Sequence, residues 1–280
     1  VKNTMNQDKL WTRIAMLTLT LATGATQISC DSTANKDINT LKSDQDEIAT
    51  PSSTVNIASK RTVGDIADQT EKDILYLTQL GLMRGHLYVG KELYNSGNIE
   101  HAKMHLKHPQ SDLYAEMVPA FAERGSDGFA EELTILFSAV GEDLGKVAVS
   151  AAYDRLISSI TASENLVKAI NRGPAQNLKL ASNLVKVAAE EYEIAVVDGR
   201  MMNAHEYQDA FGFTTVASLI VSSIVSDDDA VIEVRTEAIR SLKTLEPNWP
   251  SLIPPKTLST NSESLHAVAA EIQILSLGGY

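Results

Sequence analysis

The chain has 280 residues, with 36 acidic against 24 basic side chains and a net charge of −12 at neutral pH. Such an acidic surface repels nucleic acid and anionic lipid headgroups, so nucleic-acid binding is excluded, and cations or basic proteins are the favoured partners. The single cysteine, Cys30, excludes an intramolecular disulfide, a thiolate metal site and a covalently attached c-type haem.

The amino terminus has the order of features that an export signal requires. Basic Lys2, Lys9 and Arg13 precede an apolar run at residues 14–25, which is shorter than the ~20 residues needed to span a bilayer. The run leads into the sequence QISC, which ends at Cys30 and resembles the lipobox of bacterial lipoproteins, with glutamine where an aliphatic or small residue is commoner. We therefore predict lipid attachment to Cys30. The alternative is an ordinary signal peptide cut nearby, which leaves this cysteine as a free thiol.

A polar segment follows the predicted anchor. Residues 30–62 are rich in Ser, Thr, Asp, Asn and Lys and contain few large apolar side chains, which predicts a flexible tether. Asp31 directly follows the cysteine, and in enterobacterial lipoproteins an aspartate at that position is associated with retention in the inner membrane. The expected location is the periplasmic face of the bacterial cell envelope, with the inner membrane favoured.

From about residue 63, Leu, Ala, Val and Ile recur at helical spacing, with glycines and prolines between the periodic segments. This pattern predicts an all-α fold, a multi-helix bundle of antiparallel helical hairpins, and no strand is predicted. The predicted helices cover residues 67–95, 99–108, 112–124, 128–139, 141–162, 163–171, 174–198, 203–225, 228–244 and 262–277. The predicted organisation is a signal peptide at 1–29, the tether at 30–62, a helical domain at 63–245, and a Pro-rich segment with a C-terminal helix at 246–280 that packs on the domain.

Four histidines fall close together in the first half of the predicted domain. His101, His105 and His108 are spaced four and three apart, so they share one face of a helix and can bind one metal ion together. An antiparallel hairpin would bring His86 near them, and Asp112, Tyr114 or Glu116 can add an oxygen ligand. Neutral imidazoles suit zinc, copper, iron or nickel.

A second group lies in the middle of the domain. His205 and Asp209 are four apart on a predicted helix, with Glu206 beside them, so this group mixes nitrogen with oxygen ligands. We predict metal binding at one or both groups, with iron or another transition metal as the ion and a b-type haem as an alternative cofactor.

The second group lies within a longer pattern, EEYxxAVxDGxxxNxxEY, at residues 190–207. This pattern resembles the helical extracytoplasmic region that precedes the membrane domain in some bacterial high-affinity iron permeases. The sequences GHLYVGKELYNSG and HLKHP resemble uncharacterised exported helical proteins associated with that group. Together the resemblances cover residues 75–130 and 185–225.

The resemblance implies a role in iron uptake beside a membrane partner such as an iron permease or another envelope protein. It implies these site residues: His86, His105 and His108 in the first segment, and Glu191, Asp198, His205 and Glu206 in the second. The permease's REXXE motif, the CxxCH haem motif and an imelysin-type HxxE motif are absent from the sequence.

A helical interaction scaffold without a metal site is the alternative function. Residues 93–106 resemble the middle of a tetratricopeptide repeat, in which Gly97 and Ala102 would serve helix packing. No second copy occurs at a period of about 34 residues, and such a scaffold needs about three repeats. The sequence also lacks GxSxG, HExxH and P-loop motifs, so the chain is not predicted to be an enzyme.

Overall fold

A computed structural model of the chain describes residues 63–278, apart from the side chains of residues 63–66, 108 and 112. The predicted signal peptide, Cys30 and tether therefore lie outside the described residues. The helices are α1 (Val63–Asn95), α2 (Ile99–His108), α3 (Tyr114–Arg124), α4 (Ala130–Gly141), α5 (Lys146–Glu164), α6 (Pro174–Ala195), α7 (Ala204–Ser222), α8 (Asp229–Lys243) and α9 (Glu263–Leu275). The prediction of an all-α fold is confirmed.

Residues at the helix ends explain several of the boundaries. Pro174 occupies the first turn of α6, where its missing N–H leaves no hydrogen bond unmade. The Asn203 side chain accepts a hydrogen bond from the His205 backbone N–H and caps α7. Helix α2 ends at His108, as the following Pro109 predicts, and the chain continues through a π-helical turn (Pro109–Leu113) into α3.

Three helices form the centre of the domain. The long helix α1 contacts α2, α5, α6 and α7, and the most extensive contact of the described residues joins α6 to α7. Large side chains of these three helices are almost fully buried, among them Tyr76, Leu80, Met83, Tyr192, Tyr207 and Phe213. The C-terminal helix α9 packs on α6, where the Ser182 hydroxyl donates to the Ala269 carbonyl. Among the described residues, no helix is both long enough and apolar enough to cross a membrane.

Two sequence predictions of secondary structure are wrong. Val196–Val197 (β1) and Arg200–Met201 (β2) form a short antiparallel hairpin where helix and loop were predicted. Asp198 and Gly199 between them both have positive φ, the conformation of a two-residue hairpin turn. The predicted helix at 163–171 is also absent, because α5 runs on to Glu164 and only a short 3₁₀ turn (Ala169–Arg172) follows.

The first residues of the Pro-rich segment form a 3₁₀ turn (Glu246–Asn248). The residues after this turn pass over α6 and α7. There the Trp249 indole donates to the Tyr207 carbonyl, and the Gln208 amide donates to the Leu252 carbonyl. This segment therefore fixes the side chain of Gln208, a residue of the cluster described next.

Candidate metal centre

Two glycines allow α1 and α7 to cross at close range. A Cβ atom on Gly212 would lie 2.5 Å from the Gly85 carbonyl oxygen, and one on Gly85 would lie 2.5 Å from the Phe213 ring. Both distances are too short for a real side chain, so the crossing requires glycine at each position. The crossing brings His86 of α1 beside Asp209, which lies one turn before Gly212 on α7.

Two histidines from different helices face one carboxylate oxygen. His86 Nδ1 lies 2.6 Å from Asp209 Oδ1, and His105 Nδ1 of α2 lies 2.9 Å from the same oxygen. All three side chains are buried, with exposed fractions of 2% or less. The three ligand atoms lie within 4.8 Å of one another, close enough to share a metal ion.

Gln208 determines which nitrogen of His105 carries a proton. The Gln208 side-chain amide nitrogen donates to the Leu252 carbonyl at 3.0 Å, so its oxygen is directed at His105 Nε2, 2.9 Å away. Because an amide oxygen only accepts, His105 Nε2 donates to it. In the neutral imidazole the lone pair is then on Nδ1 and faces Asp209.

The other oxygen of Asp209 faces a third histidine. His205 Nδ1 lies 3.1 Å from Asp209 Oδ2 and 3.9 Å from Glu206 Oε2. The His205 ring stacks on the His105 ring, with centroids 4.1 Å apart and planes within 4° of parallel. A second group of potential ligands, consisting of His205, Glu206 and Asp209, therefore adjoins the first group.

Glu191 of α6 adds a third carboxyl group beside this second group. It is 4% exposed and interacts electrostatically with Glu206 and Asp209. Its Oε2 atom is buried and has no hydrogen-bond partner among the described residues. Burial, followed by the negative charge of Glu206, raises the pKa of Glu191 well above its usual range.

The surroundings of the cluster shift the pKa values of its titratable groups in opposite directions. Burial alone would raise the pKa of Asp209, but the three neighbouring histidines hold it well below its usual range. Burial lowers the pKa of His105. For His205 burial also acts to lower the pKa, but Asp209 and Glu206 outweigh it and raise the value to about 10. The metal-free cluster therefore contains an ionised Asp209 beside a protonated His205.

The structure joins the two groups that the sequence placed in separate segments. His86 and His105 from the first group and His205 and Glu206 from the second meet around Asp209. His101 is half-buried on α2 and belongs to neither ligand group, and its Nδ1 has no hydrogen-bond partner among the described residues. The side chain of His108 lies outside the described residues.

Two other residues singled out from the sequence lie apart from the cluster. Glu116 is exposed on α3, and Asp198 forms the turn of the β1–β2 hairpin. Gln208 was not predicted as a site residue, and no spacing in the sequence marks it. The sequence indicated Asp209 only through its spacing from His205. The contact of Asp209 with His86, 123 residues away, could not be predicted from local spacing.

Residues 168–276 match the family model of the iron permease-associated 4-helix bundle domain. This segment contains α6, α7, α8 and α9, and its match confirms the resemblance to iron-permease regions that the sequence at 185–225 indicated. Asp209, His205 and Glu206 lie inside the matched segment, whereas His86 and His105 precede it. No curated protein and no solved structure matches the chain.

Proposed function

We propose that this protein binds a transition-metal ion between His86, His105 and Asp209, with iron as its physiological ion, and that it serves an iron permease in the bacterial envelope. The observation that carries the proposal is the convergence of two imidazole Nδ1 atoms on one carboxylate oxygen inside the core. The scaffold function requires no such convergence.

The contact between His105 and Asp209 needs a cation. With the proton of neutral His105 on Nε2, two lone pairs face each other across 2.9 Å. A proton on Nδ1 would satisfy them, but it would turn a fully buried ring into an imidazolium, which burial disfavours. A metal ion satisfies both atoms without protonating the ring. The hydrogen bond from Nε2 to Gln208 is the kind of outer contact that orients metal-binding histidines.

The ligand types favour an iron ion over haem. Two histidines and one carboxylate are the ligand set of many non-haem ferrous sites. A haem would need room for its ring beside the ligating nitrogen, and Asp209 Oδ1 already lies 2.6 Å from His86 and 2.9 Å from His105. The family match, whose description refers to iron permeases, supports iron as the ion and a permease as the partner.

The predicted lipid on Cys30 would hold such a protein at the membrane that contains the permease. In this proposal the protein delivers or stores the ion and catalyses no reaction. The acidic composition supports this role, because a net charge of −12 attracts cations to the surface.

Metal binding by the full-length chain tests the proposal. Metal-free protein is incubated with Fe²⁺ without oxygen and desalted, and its iron content is measured. We expect His105→Ala and Asp209→Asn each to weaken iron binding by at least ~10-fold, since each removes a ligand. Asp209→Asn nearly preserves the shape of the side chain, and circular dichroism with urea denaturation of each metal-free variant checks that its loss of iron is not a failure to fold.

His101→Ala is the matched control, because His101 lies one turn before His105 on the same helix and outside both ligand groups. This variant should retain iron as the wild type does. Equal iron content in the wild type, His105→Ala and Asp209→Asn would contradict the proposal and favour the helical scaffold.

A further inference from the structure

We propose that the cluster holds two metal ions bridged by Asp209, the first with His86 and His105 and the second with His205 and Glu206. This inference rests on the proposed function for the first ion. The second site would take the same class of ligand, a divalent first-row transition-metal ion.

Each oxygen of Asp209 contacts a different set of histidine nitrogen atoms. Oδ1 faces the Nδ1 atoms of His86 and His105, at 2.6 and 2.9 Å, whereas Oδ2 faces His205 Nδ1 at 3.1 Å. A carboxylate in this position can bind one ion through each oxygen. In the metal-free protein this contact is an ion pair, and a second ion would displace the proton of His205, because a ligating imidazole nitrogen needs its lone pair.

The stacked rings of His105 and His205 place two imidazoles beside one carboxylate. His105 and His205 lie parallel with their centroids 4.1 Å apart, and each directs Nδ1 toward a different oxygen of Asp209. Ions bound to these two nitrogens would therefore share one bridging carboxylate. Two-metal sites in proteins commonly have their ions about 3.5–4 Å apart.

Carboxylates around the second position supply further oxygen ligands. Glu206 is 6% exposed, and its carboxylate is part of the second ligand group with His205 and Asp209. The buried carboxyl group of Glu191 interacts with Glu206 and adds a third carboxyl group beside this position. Carboxylates and histidines that project inward from helices also form the two-metal sites of four-helix carboxylate proteins.

The number of ions bound per chain tests the inference. Metal-free full-length protein is titrated with Fe²⁺ without oxygen, and with Mn²⁺ in parallel. We expect about two ions per wild-type chain and about one for Glu206→Gln, which keeps the size of the side chain but removes its charge. Glu116→Gln is the matched control, since Glu116 is exposed on α3, and it should still bind about two ions.

Electron paramagnetic resonance of the Mn²⁺-loaded protein provides a second measurement. Two bridged ions should give a broadened, spin-coupled signal in the wild type, and Glu206→Gln should give the resolved hyperfine lines of an isolated ion. One ion per wild-type chain, unchanged in Glu206→Gln, would overturn the two-ion inference and leave the proposed function standing. No bound ion in the wild type would overturn both.

Discussion

Gln208 has no charge and is not itself a candidate ligand, yet it determines how His105 can act. Its oxygen accepts from His105 Nε2 while its nitrogen donates to the Leu252 carbonyl, so the amide cannot turn over without losing both hydrogen bonds. The lone pair of neutral His105 is therefore directed at Asp209 before any ion arrives. A ligand that is oriented in advance loses less entropy when it binds.

Substituting Gln208 by leucine should weaken metal binding without removing a ligand. We expect Gln208→Leu to lower the affinity for Fe²⁺ by about 10–100-fold, because outer contacts of ligating histidines have effects of that size. Isothermal titration of the metal-free protein with Fe²⁺ in the absence of oxygen measures the change.

Gln273→Leu is the matched control. Gln273 also accepts a hydrogen bond, from Lys179, and donates one, to Ser276, but it lies on α9. Equal affinities in the two variants and the wild type would show that the orientation of His105 has no influence on binding.

The sequence predicted some of the individual site residues and missed others. The spacing of His205 and Asp209 placed both on one helical face, and the structure has them there in an ion pair. The spacing of His101 and His105 was equally good, yet only His105 points into the core. Helical periodicity states which residues share a face, but the packing of neighbouring helices decides which part of that face is buried.

The cluster depends on the close crossing of α1 and α7, because this crossing brings His86 beside Asp209. Gly85 and Gly212 bring the two backbones together, and Gly90 allows a similar approach of Leu106 on α2, where an added Cβ atom would lie 2.7 Å from the leucine side chain. Larger residues at these positions would move apart the helices that carry His86, His105 and Asp209.

Gly212→Ala should therefore reduce both stability and metal binding. The added methyl group would lie 2.5 Å from the Gly85 carbonyl oxygen, a backbone atom that can move only with its helix. We expect a loss of about 1–3 kcal/mol in the free energy of unfolding, the usual cost of overpacking. Urea denaturation of the metal-free protein measures this loss.

Gly141→Ala is the control for this substitution. Gly141 ends α4 with no other atom within 4 Å of an added Cβ, so alanine there should be neutral or stabilising by up to about 1 kcal/mol. Equal stabilities for the two variants would contradict the close crossing of α1 and α7.

The sequence predicted most helices because apolar periodicity persists over several turns. It missed the β1–β2 hairpin because two-residue strands are too short to show alternation, although Asp198-Gly199 is a common hairpin turn. The helix predicted at 163–171 is absent because a contact with another part of the fold holds this segment in a different conformation. The Asn171 amide is buried and donates to Asp73 of α1, which holds a short 3₁₀ turn against that helix.

Across the whole molecule, the cluster combines two distant parts of the chain. The residues from α7 lie within the segment that matches the iron permease-associated 4-helix bundle domain, and the residues from α1 and α2 precede it. Asp209 is 123 residues from His86 and 104 from His105. Local sequence patterns indicated both groups of histidines. Only the packing of α1 and α2 against α7 shows that His86, His105 and His205 share the Asp209 carboxylate.

A crystal structure of the full-length chain loaded with Fe²⁺, with anomalous data collected at the iron edge, tests the central claim most directly. We predict an anomalous peak about 2.1 Å from the Nδ1 atoms of His86 and His105 and from Oδ1 of Asp209. Anomalous peaks confined to surface carboxylates, with none inside the cluster, would contradict the claim.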